Sequence, residues 1–339
     1  MAAVDESLAH ASNVLVYSAM LVYTGALTSF ATDLAGRGRV PRAAQRVAEP
    51  VAEPVPELVG AGAAGGGPPS PDATTGTSGA VVAPERRMFA GIAVSLTWLA
   101  FALHLGGVLA RGLSVQRPPW GNMYEFSVSG SVVVTGVFLA ILLRRDLRYL
   151  GTFVVGPVLL TLGLAVTVLY TQAAQLVPAL HSFWLGIHVS VAFIASALLT
   201  LGFSVTILQL VQQRREQRRA AGRPPVGGRF MDRLPSSVEL ERTAYQLHAI
   251  AFPLWSFTLV AGAIWAESAW GRYWNWDPKE VWTFVIWVVY AGYLHARSTR
   301  GWDGRRAAYL ALAGYGCVLF NYLVVNVYFV GLHSYAGVG

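Results

Sequence analysis

The chain has 339 residues, of which 54% are hydrophobic and only 13% charged, a composition that excludes an ordinary soluble domain. Its formal charge of +7 comes from 25 Lys and Arg against 18 Asp and Glu. The lone Cys317 excludes an internal disulfide and makes thiol redox chemistry by this chain alone an unsuitable reading, so it is taken as a small packing residue.

A hydrocarbon core about 30 Å thick is crossed by roughly 20 apolar helical residues. In chain order, such stretches fall near residues 13–32, 88–110, 123–143, 150–172, 183–211, 244–266, 278–297 and 307–330. They lack the alternation of strands, and the bilayer core admits only helices or closed barrels. The expected fold is therefore an all-α polytopic membrane protein with about eight transmembrane helices. The first stretch follows Asp5 and Glu6 rather than a basic region, so residues 1–32 read as a retained helix and not as a cleaved signal. Residues 33–86, with VAEPVAEPVPE and GAGAAGGGPPSP at their core, are too rich in Ala, Pro and Gly to pack and read as a disordered cytoplasmic linker. Residues 87–339 read as a seven-helix membrane domain. Its cytoplasmic loop at 212–243 is basic and is expected to hold a short helix.

The basic residues are distributed by side. The connections after spans one, three, five and seven hold 21 of the 25, from Arg37 to Arg306. The opposite set holds Arg111, Arg117, Arg272 and Lys279. The positive-inside rule puts the Arg-rich connections in the cytoplasm and both termini on the outer side of the plasma or inner membrane. QQRREQRR, residues 212–219, has the look of an RNA-binding run, but at a span's end it reads as a topology determinant, and no nucleic-acid partner is expected.

Between spans six and seven, on the outer side, lies WAESAWGRYWNWDPKEVWTFVIW, residues 265–287. Seven of the eleven tryptophans fall between 255 and 287. Asp277 suits an N-cap, Pro278 the first helical position, and Glu280 completes a capping box, so span seven is expected to start at Asp277. An interfacial belt explains one or two tryptophans at a helix end. It does not explain Trp265, Trp270, Trp274, Trp276 and Trp282 interleaved with Glu267, Arg272, Asp277 and Lys279 in a loop at 265–283. An apolar platform with charged edges suits a large planar ligand with acidic substituents, and heme has that chemistry. Arg272 and Lys279 are the outer cations nearest it, suited to the propionates; Lys279 alternatively snorkels at the helix end.

Histidines supply iron ligands. His188 falls about one turn inside the outer end of span five and His333 just beyond the outer end of span eight, at one depth on separate elements. His104 and His181 lie near the same face and could substitute. His295 is 18 residues after Asp277, about 27 Å down a helix, near the cytoplasmic side with His248.

WGRYWNWDPKEVW resembles the tryptophan-rich signature of the WWD-domain heme-handling proteins, and the wider pattern resembles the CcsA/ResC type of System II cytochrome c biogenesis. WLGIHV at 184–189 is similar to the segment with that family's first external histidine (His188), YLHAR at 293–297 to its transmembrane one (His295), and GLHSY at 331–335 to its second external one (His333). PPWGNMYEF at 118–126 is similar to a family loop with an acidic residue, here Glu125. The resemblance covers about residues 88–335. It implies a holocytochrome c synthase subunit for which heme b is the substrate. His295 takes heme within the membrane, with a second ligand from a CcsB/ResB-type partner. His188 and His333 hold it at the outer, catalytic site, against Trp265, Trp270, Trp274, Trp276, Trp282 and Asp277. There an apocytochrome c presents a C-x-x-C-H motif, with thiol-reducing proteins as further partners. Two rivals stay open: a heme exporter or loader without synthase activity, and a cytochrome b-like electron carrier.

Overall fold

A computed structural model of the chain describes residues 4–36, 88–177, 180–299 and 302–333. Residues 37–86 of the expected linker lie outside the described residues, while its first residues, 33–35, are not linker but the last turn of the first helix. Among those described, the chain is helical with no strand. In order come α1 (Glu6–Ala35), α2 (Met88–Val115), α3 (Met123–Leu142), α4 (Gly151–Thr167), α5 (Phe183–Ala220), α6 (Ser237–Trp270), α7 (Pro278–Ser298) and α8 (Arg305–Leu319). Seven helices are long and apolar enough to cross a membrane; α7 is long enough at 21 residues but more polar. It still lies in the bundle, because Ile286, Tyr290 and Tyr293 are buried on one of its faces.

Local sequence sets the ends of these helices. Asp5, Asn122, Ser182, Ser236 and Asp277 each accept a backbone N–H as N-caps of α1, α3, α5, α6 and α7. Gly36 and Gly271 close α1 and α6 in the left-handed conformation. Pro157 lies inside α4 and cannot donate to the carbonyl of Phe153; the Ser204 hydroxyl donates to that carbonyl instead, at 3.3 Å, tying α4 to α5. At 38 and 34 residues, α5 and α6 are about 57 and 51 Å long and outrun the hydrocarbon core. RREQRR is thus the projecting end of α5, where Arg215 and Arg219 both bond Asp232.

Contacts sort the connections to two ends of the bundle. At one end Arg233 donates to the Leu34 carbonyl, Arg145 to Gln246, and Arg297 and the Gly304 N–H to Glu241. This is the Arg-rich end. At the other, the Asp5 N–H donates to the Ser114 carbonyl, and a buried ion network closes the loop between α2 and α3. Glu125 accepts from Arg111 at 3.1 Å, Arg117 at 2.8 Å and the Gly121 N–H at 2.8 Å. The spare guanidinium nitrogens reach the carbonyls of Thr171 and Ala174. Two loops are pinned by one carboxylate, and Trp120 and Asn122 are fixed with them.

Removing one partner of a buried ion network strands the others. Glu125→Gln is therefore expected to destabilise the protein by about 3–5 kcal/mol, read as a lower thermal unfolding midpoint in detergent. An unchanged midpoint would show that the network adds no net stability.

Candidate functional site

At the end remote from the arginines, α3 to α8 surround a cavity of about 370 Å³, within the range of ligand sites. Its wall runs from His188 down α5 to Thr200, about 18 Å along the helix, and the Thr200 and Tyr315 hydroxyls bond each other at its floor. The tryptophans in it are Trp120, Trp255, Trp265, Trp270 and Trp274.

α6 supplies much of the wall by periodicity. Thr258, Gly262, Trp265 and Ala266 share one face of the helix. Gly262 has a specific use: a β-carbon there would come within 2.8 Å of the His188 ring, so glycine lets that ring lie against α6. His188 meets Trp265 edge to face, centroids 5.6 Å apart. His333 meets Trp270 in the same way at 4.9 Å. The two tryptophans are five residues apart, about 7.5 Å along α6. Helix α6 thus brings the two imidazoles, from α5 and the segment after α8, to one cavity.

The route to His333 is a device of α8. Its helix widens to a π-helical segment at Phe320–Val325, a form common at functional sites, before a last turn at Asn326–Tyr328. Lys279 donates to the Asn321 carbonyl at 3.1 Å and to Asn326 Oδ1 at 2.7 Å, fastening this segment to the start of α7. The chain then passes over Asp277. Gly331 suits this passage, since a β-carbon there would collide with Asp277 Oδ1.

Asp277 holds the end of this strap. Its Oδ1 accepts the Leu332 N–H at 2.6 Å and its Oδ2 takes His333 Nδ1 at 2.8 Å, while the carboxylate also caps α7. An ionised carboxylate only accepts, so Nδ1 of the neutral ring carries the proton and Nε2 presents its lone pair. Burial would raise the Asp277 pKa, but the bonds from His333, Leu332 and Lys279 outweigh it and hold the carboxyl below its usual 3.8.

The other sequence candidates are placed as follows. Lys279 lines the cavity; Arg272 is exposed on the turn after α6 and does not. Trp282 packs on Phe320 at 4.2 Å, outside the cavity. Trp276 is 74% exposed and holds a left-handed φ of 59°, a conformation that costs about 1 kcal/mol or more in a non-glycine residue. It touches Trp274 edge to face. His295 is exposed on the flank of α7, about 18 Å beyond Thr283, the last α7 residue of the cavity wall. His248 is fully buried between α5 and α7, against Gly202, Tyr290 and Tyr293. One faces out and the other in, so they do not form a single inner heme pair. His104 is buried beside Tyr23 on α1, at 3.4 Å, and His181 is exposed in a shallow pocket beside Pro118. Neither lines the main cavity.

Sequence reasoning missed Trp120, Trp255 and Asn321, together with the second oxygen of Glu280. The helical spacing of 255, 258, 262 and 265 was the signal for Trp255. Asn321 becomes a wall residue only through the π-helical turn.

A family model described as cytochrome C assembly protein matches residues 120–333. The cytochrome c biogenesis protein CcsA of Guillardia theta is 36% identical over 232 residues, covering 64% of this chain and 76% of its own. The protein of that name from Synechococcus elongatus is 35% identical over 289 residues, covering 73% of this chain and 86% of its own. Among solved structures, a cytochrome c heme lyase CcmF shares the fold with a TM-score of 0.59 at 15% identity. The match covers 93% of this chain but only 47% of that one.

The Asp277 anchor has a defined pH range. A carboxylate with a depressed folded pKa contributes above its unfolded value and loses its contribution as pH falls through the folded one. The exchange protection factor of the Leu332 amide is expected to be level from pH 7 to about 4 and to collapse below that. In Asp277→Ala it should be low throughout. Loss of protection near neutral pH in the unaltered protein would contradict the assignment.

Proposed function

The chain belongs to the cytochrome c assembly protein family, and from that premise we propose that it is the heme-handling membrane subunit of a cytochrome c synthase. The family places it in cytochrome c maturation as a multi-pass membrane protein. The finer reading rests on one observation: His188 and His333, 145 positions apart in sequence, meet in one indole-walled cavity at the end away from the Arg-rich connections. By the positive-inside rule that end faces out of the cell, with both termini.

Heme b is the substrate. His188 and His333 bind its iron through neutral imidazole nitrogens, one ring set by Gly262 and Trp265, the other by Asp277 and Trp270. Trp265, Trp270, Trp274, Trp120 and Trp255 give its faces apolar contact. Lys279 is the cation in the wall; it has no carboxylate salt bridge among the described residues, and it suits a propionate. Arg272 and the exposed Trp276 flank the mouth, where the apocytochrome c arrives. Its C-x-x-C-H segment lays two thiols against the heme vinyl groups, and addition across them forms the thioethers. The chain supplies orientation and exclusion of water, and the cofactor and thiols supply the bond-making groups.

His295 fits a separate, earlier station. Exposed on the flank of α7 near the cytoplasmic end, it can ligate iron only together with a group from outside this chain. A partner of the CcsB/ResB type supplies that second ligand. The alternative of an electron carrier needs facing histidines at the inner depth, and the opposite placements of His248 and His295 do not support it.

In His188→Ala and His333→Ala the outer heme's absorbance is expected to vanish and maturation of a C-x-x-C-H reporter to fall to background. Imidazole in the medium should restore both, because the cavity opens outward. Normal maturation in both variants would overturn the reading. In His295→Ala the outer site should stay largely empty in a protein of normal abundance; full heme content would remove the inner station.

A further inference from the structure

We propose that Glu280 is the proton acceptor and donor of thioether formation; this rests on the synthase reading above. As the third residue of α7, Glu280 completes the capping box: its Oε2 accepts the Asn275 N–H at 2.8 Å and the Asp277 N–H at 3.1 Å. That role uses one oxygen, and a glutamine would serve it equally. The other oxygen, Oε1, is buried without a hydrogen-bond partner, and the residue lies in the cavity wall. A carboxylate buried at a membrane protein's core is costly, and an orphan buried acceptor adds to that cost. A carboxylate so placed points to a group that arrives with a proton to give.

The surroundings fit that task. Among the described residues Glu280 is the one carboxylate of the cavity wall. Two backbone bonds fix its orientation. Lys279 beside it is engaged with Asn321 and Asn326 rather than with the carboxylate. His333, the Asp277-anchored ligand, lines the same cavity.

The step balances without an oxidant or reductant. Glu280 Oε1 takes the proton of the substrate's cysteine S–H. The sulfur pair forms a C–S bond to one vinyl carbon, the C=C π bond breaks, and the second vinyl carbon takes the proton back from Glu280. A thiol has an ordinary pKa near 8.5, so about a few per cent is ionised at neutral pH without such a base. General-base assistance is worth about 10²–10⁴-fold.

The test uses the full-length chain in its membrane complex, loaded with heme, and a C-x-x-C-H peptide as the acceptor. Glu280→Gln keeps the capping acceptor. It should show the unaltered heme spectrum, with single-turnover attachment slowed about a hundredfold or more at pH 7 and largely recovered near pH 9, where the thiol ionises unaided. Normal heme with an unaltered attachment rate would overturn the proposal and leave the synthase reading standing. Absence of any attachment in the unaltered complex would instead strike the synthase reading. The pH profile of the unaltered complex decides the matter if the variant loses heme. With Glu280 as base the rate should rise by less than tenfold per pH unit between about pH 6 and 8, because free thiol ionisation is not what limits it. A tenfold rise per pH unit over that range would show that the thiol ionises on its own and would overturn the proposal.

Discussion

One carboxylate, Asp277, ties the site together. It starts α7, accepts the Leu332 N–H and takes His333 Nδ1. The three bonds come from separate demands: a helix needs a cap, a strap needs an anchor, and an imidazole needs a defined tautomer. Meeting them with one group couples the positions of the loop, the last helix and the His333 ring. The surrounding details follow from this. Gly331 is there because the strap passes within reach of the carboxylate, and Lys279 is available to hold the π-helical turn that delivers the strap.

A membrane core has no water to satisfy polar groups, so a polar group inside the bundle is costly without a partner. Most have partners. The Phe153 carbonyl left free by Pro157 is met by Ser204, and Glu125 pairs with both Arg111 and Arg117 where the loops fold back. Four unpartnered buried atoms are on cavity-wall residues, His188 Nδ1, Trp265 Nε1, Asn321 Oδ1 and Glu280 Oε1, while others lie elsewhere in the bundle, among them His104 Nε2, the Tyr290 hydroxyl and both ring nitrogens of His248.

Much of this was legible in the sequence because the signals are local. Apolar runs of span length gave the helices, and D-P-K-E gave the start of α7 at the residue where it begins. The histidines were separable by depth, since rise per residue converts position into distance along a helix. Rotation about the helix axis was harder to read. Depth put Trp276 and Trp282 with the other tryptophans, but the left-handed backbone at 276 turns its indole to solvent, and Trp282 faces Phe320. The contribution of Trp120 depends on the Glu125 network, and that of Asn321 on a π-helical turn; both are tertiary effects with no periodic signature. The spare oxygen of Glu280 was hidden by its own success as a capping residue.

The proposed function needs two stations at different depths and on different surfaces. His295 faces outward from the bundle near the arginine-rich end, and the His188–His333 cavity opens at the other. The central claim is that residues 188 and 333 share one cavity on the outer face. Cysteines placed at both positions in a Cys317→Ser background, treated in intact cells with a short membrane-impermeant bifunctional thiol reagent, test it directly. The account predicts an internal cross-link without permeabilising the cells. Cross-linking only after permeabilisation, or labelling of both cysteines without a bridge, would contradict it.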